Sequence, residues 1–96
     1  MAAVKNLSAK IRRVLTRRMK SVGGGGVRVR VERRPYRDHL NVTVVARRFP
    51  EKSLLERNHL FFDWLIEDLE ACELGRVGGL IGVTPAQDRR LFGNGA

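Results

Sequence analysis

Four glycines followed by a strict alternation of valine and arginine dominate the first third of the chain. Residues 23–37 read GGGGVRVRVERRPYR. The valines recur at every second position with arginines between them, which predicts a β-strand with one apolar face and one cationic face. The glycines cannot continue a helix, so they predict a slack link between a helix and this strand. Pro35 cannot donate to a sheet ladder and marks the end of the strand.

The rest of the chain alternates between helical and extended patterns. Apolar residues at helical spacing precede the glycines and follow a Ser53-x-x-Glu56 capping box. Thr84 and Pro85 predict the start of a last helix. In chain order the predicted elements are a helix over about 5–21, a strand from Val27, a strand over 40–46, a helix over about 54–74, a strand over 76–83 and a helix ending near Phe92.

This order, α-β-β-α-β-α, predicts a single small α/β (α+β) domain. The domain is expected to span residues 1–96, with its core over about 5–92 and a frayed tail at 93–96. The short connection between the first two strands favours a hairpin. The sequence therefore predicts a three-stranded sheet with helices packed on one face.

Charge is distributed unevenly along the sequence. Residues 1–48 carry 14 basic and two acidic residues, a net +12, whereas residues 49–96 carry five basic and eight acidic ones, a net −3. This asymmetry predicts a polyanionic partner for the first half and leaves open a cationic partner for the second. An acidic stripe is expected on the solvent side of the second long helix: Glu56, Asp63, Glu67 and Glu70.

Arginines of the predicted hairpin form the main candidate binding site. Guanidinium groups suit phosphate, and a cluster of them predicts salt-dependent contact with DNA or RNA. Only Tyr36 offers a stacking ring among them, so the contact is expected to be electrostatic and without sequence preference. The candidate residues are Arg28, Arg30, Arg33, Arg34, Arg37, Arg47 and Arg48. Arg13, Arg17 and Lys20 are expected on the solvent side of the first helix.

Catalytic and metal-binding motifs are absent from the sequence, so no enzymatic activity is expected. His39, His59 and Cys72 are the residues worth testing, and Cys72 is expected to be buried in the second helix. A single cysteine allows no internal disulfide, which favours a reducing compartment. No apolar run is long enough for a membrane helix, so a soluble cytoplasmic protein is expected. The arginine-rich first 31 residues, which contain no acid, leave mitochondrial import as the alternative.

The stretch HLNVTVVARRFPEKSLLERNHLFFDWLIEDL, residues 39–69, resembles the BolA family. The resemblance is carried by His39 at the opening of the second strand, the valines that follow, Phe49, Leu55 and Arg57. Upstream, VRVERRPYR is similar to the family's first strand, and downstream GGLIGVTPAQ is similar to its third strand and last helix.

The resemblance implies a class II KH-like fold and no enzymatic activity. It also implies two roles, transcriptional regulation through DNA and partnership with monothiol glutaredoxins in iron–sulfur trafficking. The family's second cluster-binding histidine falls near Gly78 and Gly79 here, which leaves His39 as the weak metal candidate. The leading expectation is therefore a BolA-like nucleic-acid-binding regulator without a cofactor. The alternatives are a glutaredoxin partner that shares an iron–sulfur cluster and a subunit of a ribonucleoprotein assembly.

Overall fold

A computed structural model describes residues 2–33, 39–49 and 53–93 of the chain. Its elements are α1 (Ala2–Ser21), β1 (Arg28–Arg33), β2 (Leu40–Val45), α2 (Leu54–Asp68), α3 (Ala71–Leu74), β3 (Val77–Val83) and α4 (Pro85–Phe92). The order α-β-β-α-α-β-α confirms the predicted small α+β domain with three strands. It differs from the predicted order by one short helix, α3.

The strands form one mixed sheet in the order β1-β2-β3. β1 runs antiparallel to β2, with Arg28 opposite Val45 and Arg33 opposite Leu40. β3 runs parallel to β2, because the helices between them return the chain to the same end of the sheet. β2 is therefore the central strand, and β1 and β3 form the two edges.

α1 and α2 cover one face of this sheet. Ile11, Leu15 and Met19 of α1 are fully buried, as are Phe61 and Leu65 of α2. These side chains form one cluster with the inward-facing residues of the strands. Because this stripe of α1 must face the sheet, it also fixes which residues of α1 face solvent.

α4 departs from the prediction that all helices lie on one face. Arg30 projects from the other face, because its neighbours Val29 and Val31 pack against the core and side chains alternate along a strand. Arg30 nevertheless donates to the Asp88 carboxylate of α4, 3.0 Å away. Val45, which lies on the same face as Arg30, is also buried. α4 engages this face through an ion pair instead of an apolar stripe, which is why hydrophobic spacing did not indicate it.

The second long helix is shorter than the predicted 54–74. It ends before Leu69, whose backbone is extended with φ −107° and ψ 151°. Glu70 then starts the four-residue α3, and its N–H donates to the Glu73 side chain. Cys72 is exposed, so its predicted burial was wrong. The prediction assumed one straight helix, and the break at Leu69 turns Cys72 away from the core.

The ends of the elements follow local sequence signals. Ser53 and Thr84 both form the predicted capping boxes, each accepting a hydrogen bond from the backbone N–H three residues later. Gly23 and Gly26 have φ values of 80° and 59°, which glycine adopts without strain. The glycine run therefore acts as the predicted link between α1 and β1.

Candidate functional site

Four of the five described arginines of the predicted set lie at the two ends of the β1–β2 pair, and the fifth, Arg30, lies in the middle of β1. The antiparallel register places Arg28 at one end, where Arg47 and Arg48 leave β2, and Arg33 at the other. Arg28 and Arg33 are separated along β1 by about 17 Å, at ~3.4 Å per residue. Two further members of the predicted set lie outside the described residues: Arg34 and Arg37. The structure thus brings Arg28 close to the chain around Arg47 and does not bring Arg33 there.

Arg30 is engaged within the protein. Its Nη2 and Nη1 lie 3.0 and 3.4 Å from the two carboxylate oxygens of Asp88. Its Nε lies 3.5 Å from Glu32 Oε1, and its guanidinium carbon lies 5.6 Å from the centre of the Phe92 ring. The hydrogen bond with Asp88 raises the pKa of Arg30. Arg30 therefore stays charged, but both of its Nη groups already donate to Asp88.

A groove of about 490 Å³ lies along β1 next to α1. Arginine side chains and valine side chains share its lining: Arg12, Arg28, Arg30, Val29, Val31 and Val45, with Asp88. Arg12 and Arg28 are exposed, and no ion pair among the described residues includes either of them. The groove therefore combines two available guanidinium groups with an apolar floor.

Arg12 is the residue that sequence reasoning missed. The helical pattern indicated Arg13, Arg17 and Lys20 as solvent-facing, but it gave no reason to associate α1 with β1. Burial of Ile11 next to it orients Arg12 toward the β1 edge. The only signal available was that Arg12 adjoins the buried stripe, and helical spacing does not say which strand a helix covers.

Exposed cations continue from the groove along α1. Arg12, Arg13, Arg17 and Lys20 are all exposed. Arg17 has an acidic neighbour, with its Nη2 3.6 Å from Asp68, yet its side chain is 67% exposed. These four residues and Arg28 of β1 are called the basic surface below. It presents five cations on two adjacent elements.

The inner flank of α1 forms ion pairs with α2 and α3. Lys10 Nζ lies 2.9 Å from Glu73 Oε1, and Arg18 Nη2 lies 3.1 Å from Asp68 Oδ2 and 2.8 Å from Glu67 Oε1. The hydrogen bond with Lys10 holds the pKa of Glu73 below its usual range, and the same bond raises the pKa of Lys10. Part of the acidic second half thus neutralises the basic first half within one molecule.

Arg57 is a buried cation that connects several elements of the fold. Its Nη1 donates to Gly82 O and to Gln87 Oε1, each at 3.1 Å, and its guanidinium carbon lies 4.4 Å from the centre of the Phe49 ring. Burial lowers its pKa. Arg57 therefore joins α2, β3, the start of α4 and the chain after β2, and it does not belong to the basic surface.

His39 lies half-buried at the start of β2, next to Gly78 of β3. A Cβ atom at Gly78 would lie 2.9 Å from the Cβ of His39, so glycine suits this close approach of the two strands. Within the described residues, no group of three or more His, Cys, Asp or Glu side chains could hold a metal ion. His59 and Cys72 are exposed at other places on the surface. Within the described residues, His39 is therefore the only side chain at this position that could ligate a shared iron–sulfur cluster.

Comparison with protein families, with curated proteins and with solved structures found no match to this chain. Within the described ranges, no helix combines the length and the apolar character needed to cross a membrane.

Proposed function

We propose that this protein is a small, non-enzymatic, BolA-like binding protein that contacts nucleic acid through its basic surface. The observation that carries the proposal is the groove in which Arg12 and Arg28 are both exposed and outside the described ion pairs. The α-β-β-α-α-β-α order and the mixed sheet are compatible with the KH-like fold that the BolA resemblance implies.

Phosphate is the ligand chemistry that fits this surface best. Guanidinium groups present planar forks of N–H donors that match phosphate oxygens. Cations on α1 and β1 lie side by side, so they can contact successive phosphates of one strand. Each neutralised phosphate releases bound counterions, which makes the affinity fall as salt rises.

The test is a salt series of binding to labelled duplex DNA, single-stranded DNA and RNA. The variant combines Arg12→Gln with Arg28→Gln. The matched control combines Arg89→Gln with Arg90→Gln, which removes the same charge from two exposed arginines of α4. Both variants are checked by circular dichroism and thermal unfolding before binding is measured.

Binding by the unaltered protein is expected to weaken with salt, with a slope of about −0.7 to −0.9 in log–log form for each phosphate contacted. The groove variant should lose about two such contacts, whereas the α4 control should keep a slope close to that of the unaltered protein. Equal losses in both variants would show that net charge alone governs binding. No binding to any of the three probes at ~50 mM salt would overturn the proposal.

A further inference from the structure

α2 has an outward side that the core leaves largely exposed. Leu55 and Ile66 are 66% and 58% exposed. They are separated by three helical turns, about 16 Å along the axis, and fall on nearly the same line. Between them, His59 is exposed, and Phe62 is half-buried because one side of its ring packs against the core. Together with Asp63, these residues are called the outer face of α2.

The inner side of α2 already supplies the contacts that hold the helix in the fold. Phe61, Trp64 and Leu65 are buried in the core, and Arg57 is bonded to β3 and α4. Leu55 and Ile66 therefore remain exposed although the helix is fully packed on its other side. Aligned exposed apolar side chains on a packed helix are typical of a surface that binds another protein.

Acidic side chains flank this apolar line. Asp63 and Glu56 are exposed, and no described lysine or arginine pairs with either. Glu67 accepts from Arg18 and still has a side chain that is 61% exposed. The single basic residue within α2, Arg57, is buried. In a chain of net charge +9, this side of α2 is thus both apolar and acidic.

We infer that the outer face of α2 binds an amphipathic helix of another protein that carries lysine or arginine beside an apolar stripe. Leucine-sized side chains of such a helix would cover Leu55, Phe62 and Ile66, and its cations would lie beside Asp63. The inference shares no residue with the basic surface and does not depend on nucleic-acid binding.

A second copy of this chain is a poorer occupant on two grounds. Two outer faces in contact would bring Asp63 of each copy into an acidic environment, between molecules that each carry +9. The outward side of α1 has the required cations, but Ala9 and Thr16 are the uncharged residues among them. Among the described side chains, α1 therefore offers no large exposed apolar residue to cover Leu55 or Ile66. α4 has exposed Leu91 and Phe92 beside Arg89 and Arg90, but its 8 residues span only about 12 Å and are too short to cover both Leu55 and Ile66.

The test uses two synthetic helices of about 18 residues, long enough to lie along the whole outer face. Both carry leucines at helical spacing, and their flanking positions are lysine in one peptide and glutamate in the other. Binding to the intact chain is measured by titration with NMR chemical-shift mapping. The oligomeric state of the free protein is measured by sedimentation.

The lysine peptide is expected to bind and to shift the resonances of the outer face of α2. Ile66→Gln should weaken that binding about tenfold or more, because one large apolar contact is lost. Val22→Gln, which removes an apolar side chain that is 44% exposed elsewhere, should leave it unchanged. Asp63→Lys should weaken binding of the lysine peptide and strengthen binding of the glutamate peptide.

Four results would overturn the inference. They are equal affinity for the two peptides, shifts confined to α1 and β1, no binding at about 1 mM peptide, and a dimer of the free protein that Ile66→Gln dissociates. The last result would identify a second copy as the occupant. Thermal unfolding of Ile66→Gln guards against misfolding, and retention of its nucleic-acid affinity would separate this surface from the basic surface.

Discussion

Asp88→Asn should lower stability and raise affinity for nucleic acid in the same variant. Asp88 is 4% exposed and accepts two hydrogen bonds from the guanidinium group of Arg30. Asparagine keeps the size of the side chain and one acceptor oxygen, but it removes the negative charge. Arg30 would then remain in the groove beside Arg12 and Arg28 without the negative charge of Asp88, although Glu32 Oε1 stays 3.5 Å from its Nε.

The expected loss of stability follows from how unequally the two partners are buried. Breaking a fully buried ion pair costs about 3–5 kcal/mol, and an exposed pair contributes about 0–1 kcal/mol. The side chain of Asp88 is 6% exposed and that of Arg30 is 32% exposed, so solvent screens part of the interaction. With one acceptor retained, we expect the free energy of unfolding to fall by about 1–2 kcal/mol.

The expected gain in affinity for nucleic acid corresponds to a free energy of the same order, about 1 kcal/mol. One additional phosphate contact by Arg30 would steepen the salt slope by about 0.7–0.9, which is up to about tenfold in affinity at ~0.1 M salt. Asp63→Asn is the control, because it makes the same change in net charge at an exposed position away from the groove. Denaturant unfolding and the salt series are run on both variants.

A less stable Asp88→Asn variant whose affinity and salt slope equal those of the Asp63→Asn control would refute this reasoning. Asp88 would then fix α4 without withholding Arg30 from a ligand. An unchanged free energy of unfolding in Asp88→Asn would contradict the predicted loss of stability, since it would mean that the Arg30–Asp88 ion pair does not stabilise the fold.

Two further predictions concern the fold. Gly82→Ala should destabilise the protein by about 1–3 kcal/mol, because the added Cβ would lie 2.6 Å from Cε2 of the fully buried Phe61. The measurement is denaturant unfolding, and the control is Gly25→Ala, where nothing lies within 4 Å of the added atom. Equal effects of the two substitutions would contradict the close packing around Gly82. Glu73→Gln should lower the melting temperature at pH 7, and this difference should disappear as the pH falls below ~4. The bond with Lys10 depresses the pKa of Glu73, so its stabilisation is present above the ordinary pKa of a glutamate and is lost as the folded state takes up the proton. A difference that stays constant as the pH is lowered through and well below the ordinary pKa of a glutamate would exclude the ion pair as its cause.

Features that depend on neighbours in the sequence could be predicted. The alternation around Val29 and Val31 predicted both the strand and the face of the strand that packs inward. This pattern can be recognised without knowing which elements pack against the strand. Ser53 and Thr84 each satisfy backbone donors three residues away, so the starts of α2 and α4 could be located from the sequence. These elements were sufficient to derive the fold class and the antiparallel pairing of β1 with β2.

The composition of the groove could not be predicted in the same way. Arg30 and Asp88 are 58 positions apart, and no local pattern indicates that one binds the other. Arg12 lies beside Arg28 because α1 packs across β1, and helical spacing gives the buried side of a helix but not its neighbours. The sequence therefore identified a cationic strand correctly, but it could not show that Arg30 is paired with Asp88 and that Arg12 lines the same groove.

The position of β1 at the edge of the sheet has a consequence for how the molecule behaves in concentrated solution. An uncovered strand exposes backbone donors and acceptors to which a strand of another copy can add, which starts aggregation. Arg28 and Arg33 lie at the two ends of this edge, and an approaching second β1 would bring like charges together. Arg28, which also belongs to the basic surface, and Arg33 are thus expected to keep copies of the protein apart. Glutamine substitutions in β1 and high salt should both lower its solubility, because each weakens this electrostatic repulsion.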